Sequence, residues 1–134
     1  TNENLWASWS VLGANARFYY SGDTGYSSHF AEIGRRYGPF DLTIMKIGSY
    51  HENWLEIHMA PEEAMDAQVA LNGRLMIPVH WGTFNMAYHD WDEPILRAVA
   101  DAKVKGVDLV TPRVGEWVTV GTPFDSVPWW ESVK

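Results

Sequence analysis

Three short apolar segments, separated by patterns typical of helices, constrain the fold of this chain more than any other feature. The segments are residues 17–20 (RFYY), 42–47 (LTIMKI) and 75–79 (LMIPV). Between them, apolar residues recur at helical spacing over residues 30–37, and a second helix is predicted from Pro61 to about Leu71. Strands that alternate with helices form parallel sheets, so the sequence predicts an α/β fold.

The flanking segments extend this pattern at both ends. Residues 5–12 (LWASWSVL) are predicted to pair with residues 17–20 as a hairpin. A third helix is predicted from Pro94 to Gly106, and two late strands at residues 107–110 and 117–120. The tail after Thr122 contains two prolines and two adjacent tryptophans, which is typical of an extended strap. We therefore divide the chain into a domain of residues 1–122 and a tail of residues 123–134.

The predicted sheet is incomplete by itself. A chain of 134 residues is long enough for one domain and too short for two ordinary ones. The predicted strands are few for such a sheet, and one of its faces would have no covering layer. The chain also begins Thr1-Asn2-Glu3-Asn4 and leads almost at once into a strand. These features predict a part of a larger domain, whose partner is a missing N-terminal half or another copy of the chain.

Charge and composition exclude several classes of protein. A net charge of −7 argues against a surface that binds nucleic acid or an anionic membrane. The absence of cysteine excludes a disulfide framework and thiolate metal ligands, and it fits a reducing compartment. No apolar run approaches the roughly 18 residues of a transmembrane helix. The sequence therefore predicts a cytoplasmic protein without a nucleic-acid partner or a transmembrane segment.

Two polar motifs follow two of the predicted strands. Asp23 lies in SGDTG, directly after RFYY, and His80 lies in VHWG, at the end of LMIPV. Ligands collect beyond the carboxyl ends of strands in open α/β sheets, and a carboxylate and a neutral imidazole are metal ligands. An Asp between glycines is also a common turn residue, and a lone His after a strand is often structural. Two ligands alone do not complete a zinc site, which usually takes three or four.

The eight tryptophans are many for a chain of this size. Trp is large and rarely becomes fully buried in a small fold. Trp81 directly follows His80, and we expect it to pack beneath the site. Trp129 and Trp130 lie in the tail, where a short strap would not bury them, so we expect a partner surface there.

Five motifs occur along the chain in a fixed order. They are LWASWSVLG, FYYSGDTGY, FAEIGRRYGPFDLTIMKIGSY, the PEEA helix start and IPVHWGTF. This ordered set resembles the C-terminal half of metallo-β-lactamase-fold hydrolases. It is most similar to the N-acyl-phosphatidylethanolamine-hydrolysing phospholipase D group and its bacterial homologues, with the ascorbate-6-phosphate lactonases as more distant kin. The resemblance covers residues 5–121 and implies one half of an αββα sandwich.

The resemblance also implies roles for three residues. Asp23 would bridge two divalent metal ions as the catalytic carboxylate, and His80 would be the terminal ligand of one ion. His58, just before PEEA, would line the substrate site. The ions would be zinc, although His and carboxylate ligands also permit manganese or iron. A water or hydroxide between the ions would attack phosphorus or a carbonyl carbon.

The remaining ligands implied by the resemblance form a His-rich cluster that this chain does not contain. The chain alone is therefore predicted to be inactive, whereas its parent would be a metal-dependent hydrolase of a phosphodiester or a lactone-like substrate. The loop at residues 51–56 (HENWLE) and the stretch at residues 85–91 depart from the phospholipase pattern, which leaves the lipid substrate open. Tyr26 and Tyr50 either rim the site or pack, and His29, His51 and His89 are expected to be surface or loop residues.

Two other interpretations remain at this point. The chain is an incomplete half-domain that serves as an association module and buries its open sheet against a partner. Alternatively, it is a structural α/β domain in which Asp23 is a turn residue and His80 a core residue. Side chains much farther apart than the roughly 5–7 Å of a dinuclear centre would exclude a shared metal site.

Overall fold

The computed structural model describes residues 6–133 and contains a sheet with helical connections. Its elements are β1 (Trp9–Leu12), β2 (Arg17–Tyr20), α1 (His29–Tyr37), β3 (Phe40–Lys46), α2 (Pro61–Ala70), β4 (Gly73–Val79), α3 (Glu93–Lys105), β5 (Asp108–Leu109) and a 3-10 helix (Trp129–Val133). The α/β class, the hairpin and the three predicted helices are confirmed. The start of the first predicted strand and the opening segment at residues 1–4 lie outside the described residues.

The strands form one sheet in the order β1-β2-β3-β4-β5. β1 pairs with β2 antiparallel, and each later pair is parallel. The helices α1, α2 and α3 make the crossovers that parallel pairing requires. Because β2, β3 and β4 run in the same direction, their carboxyl ends lie at one edge of the sheet.

The late strands differ from the prediction. The segment predicted at residues 107–110 is reduced to the two residues of β5. Residues 117–120 form no strand, and Trp117 is 90% exposed. Aromatic and β-branched residues favour strands only where they can pack against a neighbouring strand, and this segment has no such pairing.

One face of the sheet packs against the helices. Tyr19, Thr43 and Met76 lie side by side on adjacent strands, and all three are buried. Tyr19 and Met76 belong to one core cluster with Phe30 of α1 and Met65 of α2. Alternate residues of a strand point to opposite faces, so this row marks the helix side of the sheet.

The opposite face carries apolar side chains that no described element covers. One row contains Trp9, Tyr20, Ile44 and Ile77, and a second contains Val11, Phe18, Leu42 and Leu75. On β1 and β2 these residues are strongly exposed, from 37% at Phe18 to 64% at Trp9. The predicted lack of a covering layer is therefore found within residues 6–133.

The tail does not form an extended strap throughout. It ends in the 3-10 helix, which packs Trp130 into the helix-side core with 3% of its surface exposed. Trp129 stacks on Trp81 with ring centroids 5.3 Å apart. The expectation that these two tryptophans form a partner surface was wrong for Trp130, because the tail folds back onto the core.

No helix in the described part of the chain is long and apolar enough to span a bilayer.

Candidate metal centre

Asp23 lies in the loop after β2, which we call the Asp23 loop (residues 21–26). The N–H of Ser21 donates to the carbonyl of Ile44 over 3.0 Å and keeps the start of the loop in line with the sheet. Gly22 then adopts a φ of +59°, where a Cβ atom would also lie 2.4 Å from the carbonyl oxygen of Ala7. Glycine permits both the left-handed turn and the close approach. The turn leaves Asp23 half-buried at the carboxyl edge of the sheet.

His80 directly follows β4 at the same edge. Its φ is +64°, in the left-handed region that residues other than glycine rarely adopt. Gly48 lies against this backbone, since a Cβ atom there would be 2.1 Å from the carbonyl oxygen of His80. The N–H of Ile47 also donates to the carbonyl of Val79 over 3.0 Å. Residues 47 and 48, directly after β3, therefore lie against the backbone of His80, whose conformation is typical of functional positions.

His58 reaches this edge from the long connection between β3 and α2, whose residues 51–60 we call the His58 loop. Two backbone hydrogen bonds of 3.0 Å join this loop to the Asp23 loop: Gly25 N–H donates to the carbonyl of Glu56, and Met59 N–H to that of Thr24. These bonds lie on either side of His58 in the chain. The two loops are thus fixed to each other, and His58 is held between the fixed points.

The three side chains meet in one cluster. The Nε2 atom of His80 lies 3.3 Å from Oδ1 of Asp23. The rings of His58 and His80 have centroids 5.4 Å apart. One ligand atom from each of the three residues lies within 4.8 Å of the others. This spacing is compatible with three ligands around a single cation.

The surroundings of His58 favour its neutral imidazole, which is the form that binds a metal. Burial lowers its pKa below the ordinary value, Lys46 and His80 lower it further, and Asp23 acts in the opposite direction. Its Nδ1 atom is buried and has no hydrogen-bond partner within the described part of the chain. Metal binding requires the neutral imidazole, so a lowered pKa favours the ligand form. Two imidazoles and a carboxylate fit zinc, manganese or iron.

Lys46, at the end of β3, is a site residue that sequence reasoning missed. Its side chain is buried, with 1% of the residue exposed, and Nζ donates to the carbonyl of Met59 over 3.0 Å. Burial lowers the pKa of Lys46 to about 7, although Asp23 and Glu63 act to raise it. The available signal was a single lysine within the apolar run LTIMKI.

The remaining candidates lie outside the cluster. Tyr50 packs: its hydroxyl donates to Oε1 of Glu93 over 2.5 Å, and its ring stacks on His89. His51 contacts the ring of Trp54, in agreement with its prediction as a loop residue. Tyr26 stacks on Phe30.

The chain also matches known proteins. A family model described as the beta-lactamase superfamily domain matches residues 1–81. An uncharacterized protein of Mycobacterium tuberculosis is 45% identical over 132 residues, which are 96% of this chain and 36% of that protein. The N-acyl-phosphatidylethanolamine-hydrolyzing phospholipase D 1 of Caenorhabditis elegans is 37% identical over 123 residues, covering 86% of this chain and 35% of that protein. The chain thus spans about a third of the length of these curated relatives.

Among solved structures, the metallo-β-lactamase fold protein YhfI from Bacillus subtilis matches with a TM-score of 0.61. The match covers 81% of this chain and 42% of that chain, at 13% identity. This likeness supports the fold, whereas the family model identifies the superfamily. The chain therefore belongs to the beta-lactamase superfamily and forms part of a metallo-β-lactamase fold, as its ordered motifs predicted.

Proposed function

We propose that this chain supplies part of the metal centre of a metal-dependent hydrolase, with Asp23, His58 and His80 as ligands of one divalent cation. For His58, the ligand role replaces the substrate-lining role that the family resemblance implied. The observation that carries the proposal is the convergence of three ligand atoms within 4.8 Å, from three separate segments of the chain. The buried, unpartnered Nδ1 atom of His58 supports it, because a buried polar atom without a partner is costly.

The protein residues and the cation have separate roles in this proposal. A bound divalent cation would supply Lewis-acid activation of water and stabilise negative charge on the substrate. Asp23 supplies the negative charge of the ligand set, and His58 and His80 supply neutral nitrogen donors. The family resemblance adds two points to the proposal. It implies a second divalent ion, and it implies that both ions are zinc.

The surroundings of the cluster support a substrate that has a charged group and an apolar part. A cleft of about 390 Å³ contains all three candidate ligands, and Trp54, Ile57 and Met86 also line it. Phe84 and Met86, in the loop after His80, are 74% and 72% exposed. Together with the similarity to the C. elegans phospholipase, this favours a phosphodiester that carries an apolar chain. A lactone is the alternative substrate.

Cation binding tests the proposal directly. Zn²⁺, Mn²⁺ and Fe²⁺ are titrated into the chain in competition with a chromophoric chelator. We expect Asp23→Ala, His58→Ala and His80→Ala each to weaken binding by about tenfold or more, since each removes a ligand. His51→Ala is the matched control, because His51 lies in the His58 loop but outside the cluster. Equal affinity for the control and all three variants would refute the ligand assignment.

Hydrolysis is then measured with the natural protein at its full length. Bis(4-nitrophenyl) phosphate, an N-acyl-phosphatidylethanolamine and a simple lactone distinguish the substrate classes. We expect the wild-type protein to hydrolyse the two phosphodiesters and the Asp23→Ala variant to lose this activity. Turnover of the lactone alone would reject the phosphodiester assignment.

Association is a second candidate function, and the open face of the sheet favours it. Two adjacent rows of apolar side chains there are not covered by any described element. Such a face is expected where the layer that packs against a sheet belongs to another segment or another chain. We propose that the remaining part of a longer protein covers this face. The chain alone should then bind a hydrophobic dye or self-associate in ultracentrifugation. Tyr20→Lys should reduce this behaviour, and Val104→Lys, on an exposed position of α3, should not.

A further inference from the structure

We propose that Lys46 is a positioning residue that holds the His58 loop within ligand distance of Asp23, through its side-chain hydrogen bond to the Met59 carbonyl. The inference rests on the proposed function, because the position of His58 matters here as that of a metal ligand. The family resemblance assigns no role to Lys46.

Lys46 contacts all three segments that carry the candidate ligands. Its side chain donates to the carbonyl of Met59, the residue after His58, over 3.0 Å. Its backbone N–H donates to Oγ of Ser21, at the start of the Asp23 loop, over 3.0 Å. It also pairs across the sheet with Val79, the residue before His80. A single residue therefore links the three segments that carry the candidate ligands, at the carboxyl edge of the sheet.

The burial of Lys46 has a cost that calls for a compensating interaction. A buried ammonium group loses its hydration, and the side chain of Lys46 is buried. Asp23 and Glu63 provide opposite charge nearby, and the Met59 carbonyl accepts a hydrogen bond from the Lys46 side chain. An apolar residue at this position would avoid the cost of burial but would leave the carbonyl without this donor.

Lys46 acts on a cation site in two opposed ways. Its hydrogen bond fixes the backbone beside His58, which favours cation binding. Its positive charge repels a cation, which disfavours binding. The first effect operates through His58 and the second does not, so the two are separable by removing His58.

A double-mutant cycle measures this difference. Zn²⁺ affinity is determined for the chain with Lys46→Met, in the wild-type background and in the His58→Ala background. We expect Lys46→Met to weaken Zn²⁺ binding about tenfold in the first background and to leave it unchanged or tighter in the second. Lys105→Met is the matched control, since Nζ of Lys105 also donates to a backbone carbonyl, that of Glu62, away from the cluster.

The opposite results overturn the inference. Equal weakening of Zn²⁺ binding in both backgrounds would mean that Lys46 stabilises the fold in general and does not position His58. Tighter Zn²⁺ binding by Lys46→Met in the wild-type background would mean that Lys46 acts on the site only through charge repulsion. If His58→Ala itself had no effect, the proposed ligand set would fail instead. The two failures are therefore distinguishable.

A second readout does not depend on metal. The amide protons of Gly25 and Met59 form the bonds that join the two loops, so their exchange with solvent reports loop opening. We expect Lys46→Met to speed exchange at both amides about tenfold, without an effect at Val110 N–H, which bonds to β4. Lys46→Gln, which keeps a neutral donor, replaces the first variant if that variant does not fold, and it should give a smaller acceleration. Unchanged exchange in the variant that folds would reject the positioning role.

Discussion

The Nε2 atom of His80 lies 3.3 Å from Oδ1 of Asp23, although the two residues follow different strands. The two side chains therefore point toward each other. If Asp23 were only a turn residue and His80 only a core residue, their side chains could have pointed apart. The distance also places a nitrogen donor and an anionic oxygen where one cation can contact both. His58 adds a third donor from a loop that belongs to neither strand.

The charge of Asp23 should dominate cation binding. Asp23→Asn keeps the shape of the side chain and removes the negative charge, so Zn²⁺ affinity should fall about tenfold or more. Competition titration at constant pH measures the change. Asp108→Asn, at an exposed position of β5, is the control and should bind Zn²⁺ as the wild type does. Equal affinity for the two variants would contradict a ligand role for Asp23.

Gly25 should be intolerant of a side chain. A Cβ atom there would lie 2.2 Å from the carbonyl oxygen of Leu55, so the Asp23 and His58 loops would have to separate. Gly25→Ala should therefore lower both the unfolding free energy, by more than about 2 kcal/mol, and the Zn²⁺ affinity. Gly115→Ala is the matched control, since Gly115 has a φ of +88° and open space around it. It should cost only about 1 kcal/mol of backbone strain. Similar losses in the two variants would exclude the loop contact as the cause.

The sheet and two of the site residues were predictable because their signals are local. An apolar run followed by a glycine-rich turn specifies a strand end, and Asp23 and His80 each follow such a run. The parallel order of the strands then brings the two ends to one edge. No contact between distant loops was needed for this step.

The rest of the cluster depends on contacts that sequence patterns do not contain. The family resemblance placed His58 at the substrate site, but its approach to Asp23 depends on backbone hydrogen bonds between two loops, and such bonds leave no residue-specific signal. The buried side chain of Lys46 bonds to the carbonyl of Met59 in the His58 loop, a contact that the apolar run around Lys46 does not indicate. Trp130 was expected at the surface, since nothing in the tail indicates that it folds back onto α3 and the core.

Trp130 should contribute strongly to stability. It is 3% exposed within the core cluster, so Trp130→Ala should lower the unfolding free energy by about 3–5 kcal/mol. Chemical denaturation followed by circular dichroism measures the loss. Trp117→Ala is the matched control, because Trp117 is 90% exposed, and it should change stability by less than about 0.5 kcal/mol. A small effect of Trp130→Ala would mean that the tail does not pack in solution.

Lys46 should make the stability of the fold depend on pH. Burial lowers its pKa to about 7, from the ordinary value of 10.5 expected in the unfolded chain. Between these values the unfolded chain binds more protons than the folded one, so the free energy of unfolding should rise with pH across this window. Lys46→Met removes the group, and its stability relative to the wild type should therefore decline from pH 7 to about pH 10. Urea denaturation at several pH values measures the difference.

Lys105→Met is the control, and its stability relative to the wild type should stay constant over that range. Burial lowers the pKa of Lys105, but Asp101 and Asp66 outweigh this effect and hold the pKa above its ordinary value. A constant difference for Lys46→Met as well would contradict the buried, charge-disfavouring environment of Lys46.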